Sequence, residues 1–148
     1  MIKKQENKKI RKLNKDCVFC KIISGDIPSY KIYEDYNALA FLDIGPVNYG
    51  HTLVITKKHF DSLEDTPKED LCEVIKIVKK IGKAIKRGLR VQGYNVMMNN
   101  GHVAGQVVPH IHFHLVPRLA GDKLKLWTQG KYGKGEAEAI LNKITKNL

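Results

Sequence analysis

Apolar and polar positions along this chain recur with two different periods, and the change of period marks its elements. In "YKIYED" (30–35) and "NALAFLDI" (37–44) the apolar positions follow a strand pattern, and Asp35 to Asn37 supply turn residues between them, which predicts a hairpin. "GHTLVIT" (50–56) reads as a third strand. From "DTPKEDLCEVIKIVKKIGKAIKRG" (65–88) the period becomes helical, with Leu71, Val74, Ile75, Val78, Ile81 and Ile85 as its apolar stripe. Thr66 is the expected N-cap, Pro67 the first helical residue, Glu69 the partner in a capping box, and Gly88 the stop. "YNVMMNN" (94–100) and "HIHFHLV" (110–116) predict a fourth and a fifth strand, antiparallel if the glycine-flanked "GHVAGQ" (101–106) joins them as a hairpin. A short helical turn holding Cys17 and Cys20, stopped by Gly25 and Pro28, opens the ordered part, and "GKGEAEAILNKITKNL" closes the chain as a helix. The fold class predicted is α+β, one antiparallel sheet of about five strands with helices on one side. No repeat and no second domain is visible.

One strand carries more than packing. In "PHIHFHLVPR" (109–118), His110, His112 and His114 stand two residues apart, with Ile111, Phe113 and Leu115 between them. A strand puts positions i, i+2 and i+4 on one face, so three imidazoles share one side while the other side is core. Pro109 and Pro117 bracket the run where a strand, not a helix, would begin and end. Burying three such rings is costly unless each finds a partner, because desolvation and mutual repulsion both oppose the charged form. That cost points to a site.

Composition narrows the classes. The 148 residues are 43% apolar and 28% charged, ordinary for one globular domain, and no apolar run approaches the length of a membrane span. The net charge is +11, but residues 1 to 15 hold seven Lys or Arg against one Glu, so more than half the excess belongs to the start of the chain. Residues 1–14 lack apolar periodicity and are expected to be a disordered basic tail, with weak nonspecific attraction to polyanions; residues 15–148 form the domain. No apolar stretch of signal-peptide type follows the early lysines, which predicts a cytoplasmic protein. In that compartment three cysteines favour metal ligation or buried thiols over disulfides. Cys72, beside Leu71, is expected at the core or its boundary, and His102 in solvent.

The run from "FLDIGPVNYGHTLVIT" through "NNGHVAGQVVPHIHFHLVPR" resembles the histidine triad (HIT) family of nucleotide hydrolases and transferases, over about residues 17 to 120. The resemblance implies a homodimer and chemistry at the α-phosphorus of nucleoside polyphosphates or phosphoramidates, through a nucleotidyl-histidine. His112 matches the family nucleophile; a neutral imidazole suits this role, since anionic phosphoryl oxygens repel anionic attackers. His114 matches the position that contacts the phosphate and helps protonate the leaving group. His51 matches the fourth histidine of the cluster, and His110 is the first of the triad. Asp43 matches the residue that binds ribose hydroxyls, for which an ionised carboxylate with two acceptor oxygens is chemically apt. Asn99 and Gln106 match phosphate contacts, Gly105 lets backbone approach the ligand, and Val107 stands where many members carry Ser or Thr, leaving only its backbone amide.

"CVFC" by itself fits a zinc pair, a redox pair or two buried thiols. In relatives with this motif, a histidine at the position of His59 and the first triad histidine complete the ligand set. The resemblance therefore implies a structural zinc on Cys17, Cys20, His59 and His110, closed and without an open position. Two other readings remain at this point. One is a nucleotide-binding or sensing module without significant turnover; the other is a zinc-stabilised RNA-binding protein using the basic tail.

Overall fold

The computed structural model describes residues 13–148, so the basic segment predicted for 1–14 lies outside the described residues apart from Leu13 and Asn14. Five strands form one antiparallel sheet: β1 (Lys31–Glu34), β2 (Ala38–Leu42), β3 (Thr52–Thr56), β4 (Gly93–Met97) and β5 (His112–Arg118), in the order β1-β2-β3-β5-β4. The helices are α1 (Val18–Ser24), α2 (Lys68–Gly88) and α3 (Glu136–Thr145). The α+β class and the five antiparallel strands agree with the sequence pattern. At the β1–β2 hairpin, Asp35 Oδ1 accepts the N–H groups of Asn37 and Ala38 at 2.8 Å each, the side-chain turn that Asx residues make.

Strand alternation divides the core in two. Ala38, Ala40, Val54, Phe113 and Leu115 face α2 and pack with its Val74, Ile77, Val78, Ile81 and Ile85. Leu39, Phe41, Leu53 and Ile55 face the other way and pack with Cys17, Phe19, Cys20 and Ile22 around α1. The long helix thus covers one face alone, while the short α1 sits on the face that holds the histidines. No apolar pattern in seven residues reveals which face such a helix takes. α3 buries none of its residues. Among the described residues, no helix is long and apolar enough to cross a membrane.

Several local expectations are corrected. Pro67, not Thr66, occupies the N-cap of α2 and no side chain caps it, so no capping box forms between Thr66 and Glu69; Thr66 Oγ1 donates to Ser62 O at 2.7 Å. Gly88 ends the helix without a left-handed turn, and that conformation falls on Arg90 at φ 55°. Ile75 is 47% exposed and Ile77 takes its place in the core, a choice among neighbouring positions that helical periodicity alone does not make. Cys72 is exposed rather than at the core. One glycine is demanded by packing: a Cβ on Gly82 would stand 2.2 Å from Tyr94 Oη, so its absence lets α2 lie close to β4.

Candidate functional site

The regular strand begins at His112, yet the alternation extends back to His110: Ile111 packs toward α2, and the three triad rings share the opposite face. Pairing fixes their neighbours, since His112 lies across from Ile55, and His114 across from Leu53 and Met97. His110 is fully buried and His112 buried, while His114 is partly open. Phe19 of α1 stands edge-on to both His110 and His112, with ring centroids 5.8 and 5.1 Å away.

Hydrogen bonds decide which nitrogen of each ring is free. His112 Nδ1 lies 2.6 Å from the carbonyl oxygen of His110. A carbonyl only accepts, so Nδ1 carries the proton and Nε2 keeps its lone pair. His51 Nδ1 accepts the Val47 N–H at 3.3 Å, which puts its proton on Nε2, 2.9 Å from His114 Nδ1. His114 therefore receives at Nδ1 and carries its own proton on Nε2. Burial, assisted by the neighbouring His112 and His51 rings, lowers His114 to about 4, and burial also lowers His112 and His51, so all three are neutral near pH 7.

His112 and His114 open on a cleft of about 350 Å³. Its walls are apolar on the α1 side, with Phe19, Ile22, Phe41 and Leu53, and polar at Asp43, Asn99 and Gly105. Asp43 Oδ1 accepts the Gly45 N–H at 2.8 Å, and its Oδ2 lies 3.5 Å from His51 Nδ1. Gly105 takes φ 91°, and Asn99 Nδ2 donates to its carbonyl at 3.2 Å. Val107 lines the cleft and is 88% exposed. Gln106 differs from expectation, because its side chain is engaged within the protein: Oε1 accepts from Gly101 N–H, and Nε2 donates to the carbonyls of Asp61 and Val108.

Behind the triad, Cys17, Cys20, His59 and His110 bring four donor atoms within 4.8 Å of one another. Cys20 Sγ is 3.3 Å from His59 Nδ1 and 3.7 Å from His110 Nδ1, and Cys17 Sγ is 3.5 Å from His110 Nδ1. Zinc–sulfur and zinc–nitrogen bonds of ordinary length at a tetrahedral angle separate S from N by about 3.5 Å, so the donors fit such an ion. The outer nitrogens agree. His110 Nε2 donates to Thr56 O at 2.8 Å and His59 Nε2 to Asp61 Oδ1 at 2.7 Å, which leaves both Nδ1 lone pairs facing the thiols. Burial raises Cys20 to about 11, so without a cation this thiol stays protonated.

A match to the HIT domain family spans residues 24–121. The chain belongs to the HIT family. An uncharacterized HIT-like protein of Methanocaldococcus jannaschii is 54% identical over 106 residues, 72% of this chain and 81% of that one. An adenosine 5'-monophosphoramidase of Candida albicans is 44% identical over 106 residues, 69% of this chain and 70% of that one. Among solved structures, a HIT family member from Bacillus subtilis superposes with a TM-score of 0.82 at 41% identity, covering 90% of this chain and 97% of that chain. A zinc-bound histidine triad protein from Mycobacterium smegmatis gives 0.72 at 41% identity, covering 90% and 98%. In this HIT domain, then, the four Cys and His donors could hold a metal ion, and the cluster abuts the triad because His110 belongs to both. Two contributors escaped the sequence reading. Phe19 braces the His112 ring, and its only signal was its place inside "CVFC"; Asp61 orients His59, and a His-x-Asp spacing could have flagged it.

Proposed function

We propose that the chain is a nucleotide hydrolase that attacks the α-phosphorus of a nucleoside phosphoramidate or polyphosphate with His112. One observation carries this reading: the 2.6 Å contact from His112 Nδ1 to the His110 carbonyl, which leaves a neutral Nε2 lone pair at a cleft of nucleotide size. The apolar wall suits a base and the Asp43 carboxylate suits vicinal ribose hydroxyls. The Val107 N–H, without a carbonyl partner among the described residues, suits a phosphate oxygen. In the first step a His112 Nε2–P bond forms while the bond from phosphorus to the leaving group breaks. The leaving atom takes one proton from solvent, while the His114 Nε2–H hydrogen-bonds to it. Water then attacks phosphorus and breaks the Nε2–P bond, releasing nucleoside monophosphate and one proton. His51 acts by fixing the His114 tautomer.

Cys17, Cys20, His59 and His110 would hold a structural zinc, whose chemistry is four-fold ligation that clamps α1 and the 59–61 segment to the back of β5. A cytoplasmic location is supported by Cys17 and Cys20 being placed to ligate a metal rather than to form a disulfide. A homodimer is supported by β4, an edge strand with Val96 46% and Met97 37% exposed, beside a groove that includes Trp127. The test is incubation with adenosine phosphoramidate and with diadenosine tetraphosphate: release of AMP and an acid-labile nucleotidyl adduct on His112 are expected. AMP binding without turnover of either compound would instead mark a sensing module.

A further inference from the structure

The loop between β4 and β5 has to hold its shape to meet a phosphate, yet residues 101–105 are all exposed. Inside, it is held by short turns, with the N–H groups of Ala104 and Gln106 donating to Gly101 O and that of Gly105 to His102 O. Outward, its side chains tie it to a single place. Gln106 Nε2 donates to Asp61 O at 2.7 Å, while Asn100 accepts the Leu63 N–H at 2.9 Å and donates to Glu64. The arm 59–64 that receives these bonds also carries the ligand His59, and Asp61 itself orients that ring. Gln106 has no donor left for a phosphate: both amide hydrogens meet carbonyls, its backbone N–H meets Gly101 O, and its oxygen accepts from Gly101 N–H.

We propose that Gln106 is a positioning residue that couples occupancy of the Cys17–Cys20–His59–His110 metal site to the shape of the substrate loop, so that metal and nucleotide bind cooperatively. A bound metal fixes His59 and so the arm; the arm fixes Gln106; Gln106 in turn holds Gly101 N–H and the Val108 carbonyl on either side of Gly105 and Val107. With the metal gone, His59 loses its inner partner and the loop loses the support that its outward bonds share. The nucleotide half of this proposal rests on the functional reading above, and linkage makes it reciprocal: whatever factor the metal adds to nucleotide affinity, nucleotide adds to metal affinity.

The decisive measurement is zinc affinity by chelator competition, with and without saturating AMP. In the wild type AMP should tighten zinc about 5- to 10-fold, a usual size for coupling between sites. Gln106→Glu keeps an acceptor for Gly101 N–H but has no hydrogens for the Asp61 and Val108 carbonyls, so the factor should fall to near one; Gln106→Leu, which adds no charge, should behave alike. An equal factor in wild type and variants, or a factor of one in a wild type that binds AMP, overturns the proposal. Amide exchange across residues 101–106 without nucleotide separates it from the functional reading. Loop protection that drops on zinc removal, in a chain that never binds AMP, would support the coupling and refute the hydrolase. AMP binding with loop exchange indifferent to zinc would overturn the coupling alone. Should metal removal unfold the chain, exchange is compared between zinc-loaded wild type and Gln106→Glu. Faster exchange confined to 101–106, with β5 unchanged, is expected, and identical loop exchange overturns the proposal.

Discussion

His110 and His114 stand four residues apart on one face of one strand segment, and their surroundings give them opposite work. At His110 both nitrogens are taken up, Nε2 by Thr56 O at 2.8 Å and Nδ1 by the two thiols at 3.5 and 3.7 Å, and no surface is exposed. At His114, among the described residues, only Nδ1 is taken up, by His51, and the ring reaches a cleft. Burial brings both to about 4, so the lowered basicity does not distinguish them. What distinguishes them is whether a nitrogen is left over. His112, between the two, shows the intermediate case: a buried ring with one nitrogen tied to a backbone carbonyl and the other without a hydrogen-bond partner among the described residues. The role of an imidazole is thus set by its unclaimed atom, and the comparison can be broken by removing one histidine or one claim at a time.

The largest effect should follow His112→Ala. Deleting the bare Nε2 removes the covalent route while Asp43 and the loop remain, so turnover of adenosine phosphoramidate should fall at least about 1000-fold, with the AMP dissociation constant within about 3-fold of wild type. Steady-state kinetics and calorimetric titration check both. Turnover within about 10-fold of wild type would remove His112 from the nucleophile position. At the closed corner the expectation reverses. Cys17→Ser breaks a four-donor set and should lower zinc content from about one per chain, with the melting temperature falling by about 10 °C, as loss of about 2–3 kcal/mol would give in a chain of this size. Elemental analysis and calorimetry check this; a wild type free of zinc, purified without chelator, would sink it.

Much of this contrast was legible beforehand because strand period is two: once "HIHFHLV" reads as a strand, three rings on one face and Ile111, Phe113 and Leu115 on the other follow from the pleat. The assembly of Cys17, Cys20, His59 and His110 was legible through resemblance; nothing in the spacing of 17, 20, 59 and 110 brings them together, since α1 and the end of β3 meet only in the folded chain. Gln106 shows the limit most clearly. The family resemblance implied a phosphate contact, but which way a side chain turns in a loop depends on partners such as Asp61 O, 45 residues away in sequence. The α2 errors have a similar cause. Thr66 satisfied every local rule for an N-cap, but the helix begins one residue later, with Pro67 at the N-cap, and the Thr66 hydroxyl donates back to Ser62 O.

Acid should act on the open corner through His114. Its ring is held at about 4 in the fold against an ordinary 6.5, so between those values the unfolded chain binds a proton that the folded chain does not. Stability from this group is then full above pH 6.5 and is lost progressively as pH falls toward 4. Urea midpoints measured from pH 7 to 4.5 should decline, and His114→Asn should flatten the decline by up to one proton, or about 1.4 kcal/mol per pH unit at most. An unchanged slope in the variant would mean that other groups carry the acid response.

The smallest effect tests the open corner from its other side. Val107 is 88% exposed and lines the cleft, so a substitution there leaves the core untouched. Val107→Thr keeps the β-branched shape and adds one hydroxyl where many family members carry Ser or Thr. If the loop meets a phosphate oxygen with backbone amides alone, a new donor at the same place should strengthen the contact modestly. A neutral hydrogen bond contributes about 0.5–1.5 kcal/mol, hence a rise of about 2- to 10-fold in kcat/KM, with the melting temperature within about 1 °C of wild type. The split between constants is informative. A gain in kcat with KM unchanged places the hydroxyl on charge that develops in the transition state, while a fall in KM alone places it on the bound substrate. Unchanged constants would mean that residue 107 meets the substrate only through its N–H. A loss would mean that the Val107 side chain packs on the ligand as part of the apolar wall, which would extend that wall from α1 round to the loop.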